Sequence, residues 1–226
     1  MILLLWDIDG TLLASGGAGM RALERAVTAV FQLPFAADLS DIDWAGRTDR
    51  WIAAKIFEKY GIDHTQPNVD AFLDAYISRL PAELAQSTHV LPGILEILTT
   101  ADSHPRFAQG LLTGNLQRGA ATKLGHFDLW RFFPFGAFAD DSPLRNDLGP
   151  HALRRASRHS GQDFDPDRVW IIGDTPHDIE CGKVIGARTL AVATGHHSHE
   201  QLAHHEPDAL LTDLSSASAF WACVES

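Results

Sequence analysis

The sequence predicts an α/β protein, a doubly wound parallel sheet with an all-helical domain inserted into it. Three observations predict this class. Short apolar runs without polar alternation recur at 2–6, 107–112, 168–172, 188–192 and 209–211, as expected of strands covered on both faces of a parallel sheet. Turn signals and segments of helical spacing follow them, at 116–124, 148–159, 176–185 and 199–204, which is the alternation of βαβ units. Between the first two runs, residues 15–87 carry helical patterns at 18–31, 50–60 and 69–84 and no convincing strand.

Taken in order, the run from Ile2 to Trp6 predicts a central strand, broken by Asp-Ile-Asp-Gly-Thr at 7–11. Gly16-Gly17 on one side of the helical segment and 86–92 on the other are candidate hinges, because Gly, Ser and Pro cluster there between periodic segments. The expected domains are therefore a core of 1–14 and 88–226 and a helical domain of 15–87. Thr48 or Asp49 suits the cap of the helix beginning near Arg50. Pro176 suits the first turn of its helix, where a missing N–H costs little.

Composition narrows the function. The 226 residues are 45% apolar and 21% charged, an ordinary globular balance. With 18 Lys and Arg against 29 Asp and Glu the net charge is −11, so the long-range field repels nucleic acid and anionic membranes, and an anionic substrate must meet positive charge arranged locally. Cys181 and Cys223 lack any metal-binding or framework spacing, which fits a reducing compartment. The run at 1–6 has no basic flank and is interrupted by Asp7 and Asp9, so no export signal is read. No apolar stretch approaches the roughly 18 residues of a spanning helix. A cytoplasmic protein with neither nucleic-acid nor membrane partners is expected.

Open α/β sheets bind ligands beyond the carboxyl ends of their strands, so the residues there are read together. The first run ends in Asp7-Ile8-Asp9-Gly10-Thr11, the second in Thr113-Gly114-Asn115, and the third in Gly173-Asp174-Thr175-Pro176-His177-Asp178, with Arg145-Asn146 before one of the later helices. Asp7, Asp9, Asp174 and Asp178 would form an anionic cluster that repels itself unless a cation neutralises it. Hard oxygen ligands of this kind suit Mg²⁺.

With these residues on the page, the sequence resembles the haloacid-dehalogenase-like (HAD) hydrolase superfamily, most closely its phosphoglycolate-phosphatase-like branch. The family's first motif, DxDGT, stands at 7–11; its second, an apolar strand ending in Thr or Ser, ends at Thr113; its fourth, GDxxxD, stands at 173–178. The helical segment falls where the family's C1 cap is inserted. The usual third-motif Lys is replaced by Arg145, with Lys123 and Lys183 as rivals that lie inside predicted helices. The resemblance implies a Rossmann-like core under a helical cap and a Mg²⁺-dependent phosphatase acting on a small phosphorylated metabolite through an aspartyl-phosphate, phosphoglycolate among the candidate esters.

It further implies that Asp7 is the nucleophile, Asp9 the acid and base, and Thr113 a hydrogen-bond donor to the phosphoryl group, with Arg145 balancing charge. Gly114 and Asn115 would join Thr113 in binding substrate. Asp174 would hold the metal with the Asp7 carboxylate and the Asp9 carbonyl, and Asp178 would order its surroundings. Asp at position 9 favours phosphate chemistry, since halide release needs no acid. A phosphomutase passing the phosphoryl group to a sugar, or a binding module that kept the fold without turnover, are the alternatives.

Three further features have a functional and a structural reading. Gly17 to Ala22 matches a relaxed dinucleotide fingerprint, but it does not follow the first strand directly, so it is read as the entry to the inserted helices. Arg47 could offer its guanidinium to an anionic substrate from a loop of the cap. The patch of His196, His197, His199, His204 and His205 contains adjacent pairs that cannot share a face, so a solvated loop is preferred to a zinc site.

Overall fold

The computed structural model describes residues 1–225. The chain runs β1 (Ile2–Trp6), β2 (Leu13–Ala14), α1 (Ala18–Val30), α2 (Asp49–Tyr60), α3 (Gln66–Ser87), β3 (His89–Val90), α4 (Ile94–Ser103), β4 (Phe107–Leu112), α5 (Gln117–Gly125), β5 (Gly136–Ala137), α6 (Leu148–Ser160), β6 (Val169–Gly173), α7 (Pro176–Val184), β7 (Arg188–Val192), α8 (His199–Ala203), β8 (Ala209–Leu211) and α9 (Ala217–Val224). Six strands form one parallel sheet in the order β5-β4-β1-β6-β7-β8. The chain leaves β1 toward one edge and returns to its other side at β6, so the strand order reverses between these two strands.

Successive residues of β1 point to opposite faces of the sheet, and both faces are covered. Ile2, Leu4 and Trp6 pack with Ile94 and Leu98 of α4, Leu124 of α5 and Phe220 of α9. Leu3 and Leu5 pack with Leu148, Ala152 and Ala156 of α6 and Cys181 of α7. This double cover explains why the strands carry unbroken apolar runs.

Helices α1 to α3 build a cluster of their own around Leu23, Ile56, Phe57, Phe72 and Tyr76, which takes in Leu116 and Ala139 from the sheet side. α2 and α3 begin as their sequences dictate: Thr48 and Thr65 accept the N–H groups of Trp51 and Asn68 on their hydroxyl oxygens. The two connections to this helical unit are tied together. β2 and β3 pair antiparallel, and Ser87 and Thr88 donate their hydroxyls to the carbonyls of Gly16 and Ser15.

Most ranges differ from those the sequence predicts by one to three residues, which is how helix ends fray. The elements without an expectation are instructive. β2, β3 and β5 have two residues each, too few for any periodicity, and α9 is apolar at every position but Ser218, so no polar face marks it.

Candidate active site

Asp7 leaves β1 with its N–H bound to the carbonyl of Ile172, 2.9 Å away on β6, so the carboxylate emerges where the strand order reverses. The chain then turns at Gly10, whose φ is +83°, and a Cβ there would lie 2.4 Å from Oδ2 of Asp174. Only glycine lets the first loop lie against the carboxylate that follows β6. Thr11 donates its hydroxyl to Oδ1 of Asp174 at 3.2 Å. Four residues on, Asp178 accepts the N–H and the hydroxyl of Thr175, at 3.0 and 2.7 Å, closing the first turn of α7.

Asp7, Asp174 and Asp178 are all buried, and oxygens of the three lie within 4.8 Å of one another. Arg145, in a short 3₁₀ turn at Arg145–Asp147, reaches into them. Its Nη2 lies 3.1 Å from Oδ1 of Asp7, pairs with Oδ1 of Asp178, and donates to the carbonyl of Leu112 at 3.3 Å. Burial first raises the pKa of Asp7 and Asp174, and the neighbouring carboxylates add to it against Arg145, which lowers both, while Asp178 and Asp7 hold the Arg145 guanidinium charged against its own burial. One guanidinium does not balance three carboxylates. The donor set is all hard oxygen with an uncompensated negative charge, so it fits Mg²⁺.

Asp9, two residues past Asp7, faces elsewhere. Against burial that would raise its pKa, Lys123 lowers it, with help from Ser15 and Asn115. Lys123 donates to Oδ2 of Asp9 and to Oδ1 of Asn115, each at 2.6 Å, and is itself buried. Asn115 donates its amide to the same Asp9 oxygen at 2.9 Å and to Oγ1 of Thr113 at 2.9 Å. Thr113 therefore stands behind Asn115, with its hydroxyl hydrogen uncommitted by these bonds, while Gly114 and Asn115 border the cavity directly.

That cavity, about 400 Å³, lies between the sheet loops and the helical unit, and Asp7, Asp9, Arg145, Asp174 and Arg47 all border it. The loop before α2 is pressed onto the sheet loops. Asp49 donates its N–H to the carbonyl of Gly114 at 2.7 Å, Thr48 donates its hydroxyl to that of Pro143 at 2.6 Å, and Oδ2 of Asp49 accepts the N–H of Leu116 at 2.7 Å. Gly46, at φ +70°, faces Thr175 so closely that a Cβ would lie 2.5 Å from its Oγ1. Arg47 lies with its guanidinium 4.5 Å from the centroid of the Trp51 ring. His196 meets Trp44 edge-on across the mouth, with centroids 4.9 Å apart.

Several sequence readings change here. Lys123, set aside as a helix residue, is the cation that meets Asp9, whereas Lys183 donates to the carbonyl of His205, away from the carboxylates. Thr48 makes the cap of α2, but Asp49 does more than cap, because its carboxylate crosses to α5. Among the described residues the histidines of 196–205 join no group of three metal ligands. Cys181 is buried and its thiol is pushed up to about 11 by that burial, which leaves it unreactive at neutral pH. Asp49 and Tyr76 went unread as site residues because their spacing to the motifs carries no signal, and Lys123 was read only as a rival for the third-motif cation; packing brings all three to one cavity.

Known proteins resemble this chain in sequence and in fold. Residues 145–217 match the model of the HAD-hydrolase-like family. The chain is 28% identical over 211 residues to an N-acetylmuramic acid 6-phosphate phosphatase of Pseudomonas aeruginosa, covering 92% of this chain and 88% of that one. The chain is thus similar in sequence to the haloacid-dehalogenase-like hydrolase superfamily. Within it, a phosphoglycolate phosphatase of Salmonella typhimurium is 25% identical over 222 residues, covering 91% and 86% of the two chains. Among solved HAD-like folds, CbbY from Rhodobacter sphaeroides in complex with phosphate superposes with a TM-score of 0.78 at 19% identity, covering 96% of each chain. A predicted phosphoglycolate phosphatase from Haemophilus somnus gives 0.74 at 17%, covering 97% of each.

Proposed function

We propose that this HAD-like chain is a Mg²⁺-dependent phosphatase that hydrolyses a small phosphate monoester through an aspartyl-phosphate on Asp7. One observation carries the reading: Asp7 and Asp9 border the same cavity from one turn of chain yet face different cations, Arg145 and Lys123. Two carboxylates in two electrostatic settings can serve as nucleophile and proton carrier.

In this reading Asp7 attacks phosphorus as the ester oxygen leaves with a proton from Asp9. Water then gives its proton to Asp9 and attacks the phosphoryl group, which frees Asp7 and inorganic phosphate. The ionised form that Lys123 favours at Asp9 is the form the second step needs. Arg145 balances charge on the phosphoryl oxygens, and Thr113 and the Gly114–Asn115 turn offer hydrogen bonds to them. Arg47 reaches the same anionic group from the helical side.

Asp7, Asp174 and the Asp9 carbonyl would hold Mg²⁺, with Asp178 fixed behind them by Thr175 and Arg145; when bound, the ion supplies the positive charge that lets a phosphate approach three carboxylates. Residues 15–87 would act as a cap that excludes water, and the tied connections at β2 and β3 would be its hinge. The names of the relatives support a phosphate monoester and differ over which one. A cytoplasmic setting accords with the free cysteines at 181 and 223, and no described helix is long and apolar enough to cross a membrane.

The test is phosphate release from a panel of small esters with Mg²⁺ or with EDTA, comparing wild type with Asp7→Asn. Metal-dependent release that disappears in the folded variant supports the reading. Substantial release by Asp7→Asn removes the nucleophile.

A further inference from the structure

We infer that the leaving group of the substrate is uncharged and hydroxylated, a sugar or a polyol, and that Asp49 is the residue that selects it. The inference rests on the phosphatase reading above and concerns the end of the cavity away from Asp7.

Size comes first. About 400 Å³ is room for a small-molecule ligand and exceeds what a phosphoryl group with a two-carbon tail would fill. Past Asp9 the cavity runs between α1 and α3, with Met20, Leu23 and Ile52 as apolar walls, surfaces that suit the C–H faces of a sugar.

Charge decides the rest. The polar groups at this end are the Asp49 carboxylate, the Tyr76 hydroxyl beside it, and the Asp9–Lys123 pair. Asp49 is 6% exposed and Tyr76 1%. The Lys123 ammonium is committed to Asp9 and Asn115. Arg21, near the glycines that enter α1, is committed to Glu83 at 2.9 Å and to the carbonyl of Gly16 at 2.6 Å. Arg47 belongs to the phosphoryl end, since its backbone lies against Gly114, which also faces Arg145, and Gly46 before it faces Thr175 and His177. A carboxylate on the leaving group would be stripped of water against Asp49 and Asp9, with Lys123 and Arg21 already paired. Hydroxyl groups meet the opposite situation. A carboxylate offers about four lone-pair directions; Leu116 uses one of them at Asp49, and the remainder can accept from a substrate hydroxyl in a dry site.

A purely structural Asp49, serving only to seat Leu116 at the start of α5, is the competing account, and the two differ in a measurable way. Asn at this position keeps an oxygen for the Leu116 N–H but removes the charge. The experiment measures kcat/KM, with Mg²⁺, for ribose 5-phosphate, glucose 6-phosphate and glycerol phosphate against phosphoglycolate and 3-phosphoglycerate, with p-nitrophenyl phosphate as a featureless reference. Calorimetry with Asp7→Asn protein gives binding without turnover. The hydroxylated neutral esters should be preferred by about tenfold or more, the worth of one hydrogen bond to a charged group. Asp49→Asn should lower kcat/KM for them and raise it for the carboxylated esters, so the two classes move in opposite directions; Tyr76→Phe should weaken binding of the first class alone. Preference for the carboxylated esters, or an equal fall of both classes in Asp49→Asn, overturns the inference while turnover of p-nitrophenyl phosphate leaves the phosphatase reading intact. No turnover of any ester, p-nitrophenyl phosphate included, by folded wild type overturns both.

Discussion

Arg145 Nη2 lies 3.1 Å from Oδ1 of Asp7, and both side chains are buried. The same nitrogen pairs with Asp178, so one guanidinium holds the carboxylate that would attack phosphorus and the one that closes the first turn of α7. Arg145→Ala leaves both carboxylates buried without their partner, a loss expected to cost about 3–5 kcal/mol of stability together with turnover. Arg145→Lys restores a charge but not the planar fork. Thermal denaturation and kcat should both rank wild type above Lys and Lys above Ala; equal loss in the two variants would assign the whole effect to the fork.

The Asp7, Asp174 and Asp178 cluster leads to a prediction about Mg²⁺. Binding to the folded state alone raises the melting temperature in proportion to ln(1 + [Mg²⁺]/Kd). The wild type should show this rise. Asp174→Asn should lose most of it and, without metal, should be more stable than the wild type, because burial and the two neighbouring carboxylates press against the Asp174 charge. Melting curves across a Mg²⁺ titration check both halves.

Asp49 predicts a pH dependence. Burial raises its carboxyl from an ordinary 3.8 to about 6, so the folded state binds this proton more tightly than the unfolded chain. Stability from this group is therefore present below about pH 4, falls as pH rises to about 6, and is level above that. Asp49→Asn removes the penalty. The variant should be the more stable protein at pH 7.5, by up to about 3 kcal/mol, and the difference should close near pH 4. Denaturant midpoints at several pH values measure it. A charge kept here at a cost in stability is the expected signature of a residue retained for function.

The close seat of the loop before α2 depends on Gly46. Gly46→Ala must accommodate φ +70° and a Cβ 2.5 Å from Thr175 Oγ1. Strain of about 1–2 kcal/mol is expected from the backbone, but lifting Arg47 and Asp49 away from the sheet loops should cost about tenfold to a hundredfold in kcat/KM. Kinetics beside a melting curve separate the two effects.

The sheet was legible because a strand buried on both faces must be apolar throughout, and β1, β4, β6, β7 and β8 all announce themselves in that way. Asp7, Asp9, Asp174 and Asp178 were legible because strand ends at a reversal of strand order converge. Arg145 could be read as a candidate from its place before α6, but not its contact with Asp178, which depends on the pitch of α7. Lys123 was legible only as a rival to Arg145, and Asp49 only as a helix cap, for another reason. Each looks like an ordinary helix residue, and each becomes part of the cavity wall only because α5 and α2 are brought together there. Gly136 and Ala137 pair with β4 through backbone alone, so no side-chain pattern marks β5.

The measurement that tests the account most directly is a single turnover quenched in acid, followed by mapping of phosphorylated peptides. With an ester that the enzyme hydrolyses and Mg²⁺ present, one phosphoryl group should be found on the carboxylate of Asp7, labile to alkali and absent from Asp7→Asn protein. Phosphate release with no phosphoryl group on Asp7, or with one on another residue, would contradict it.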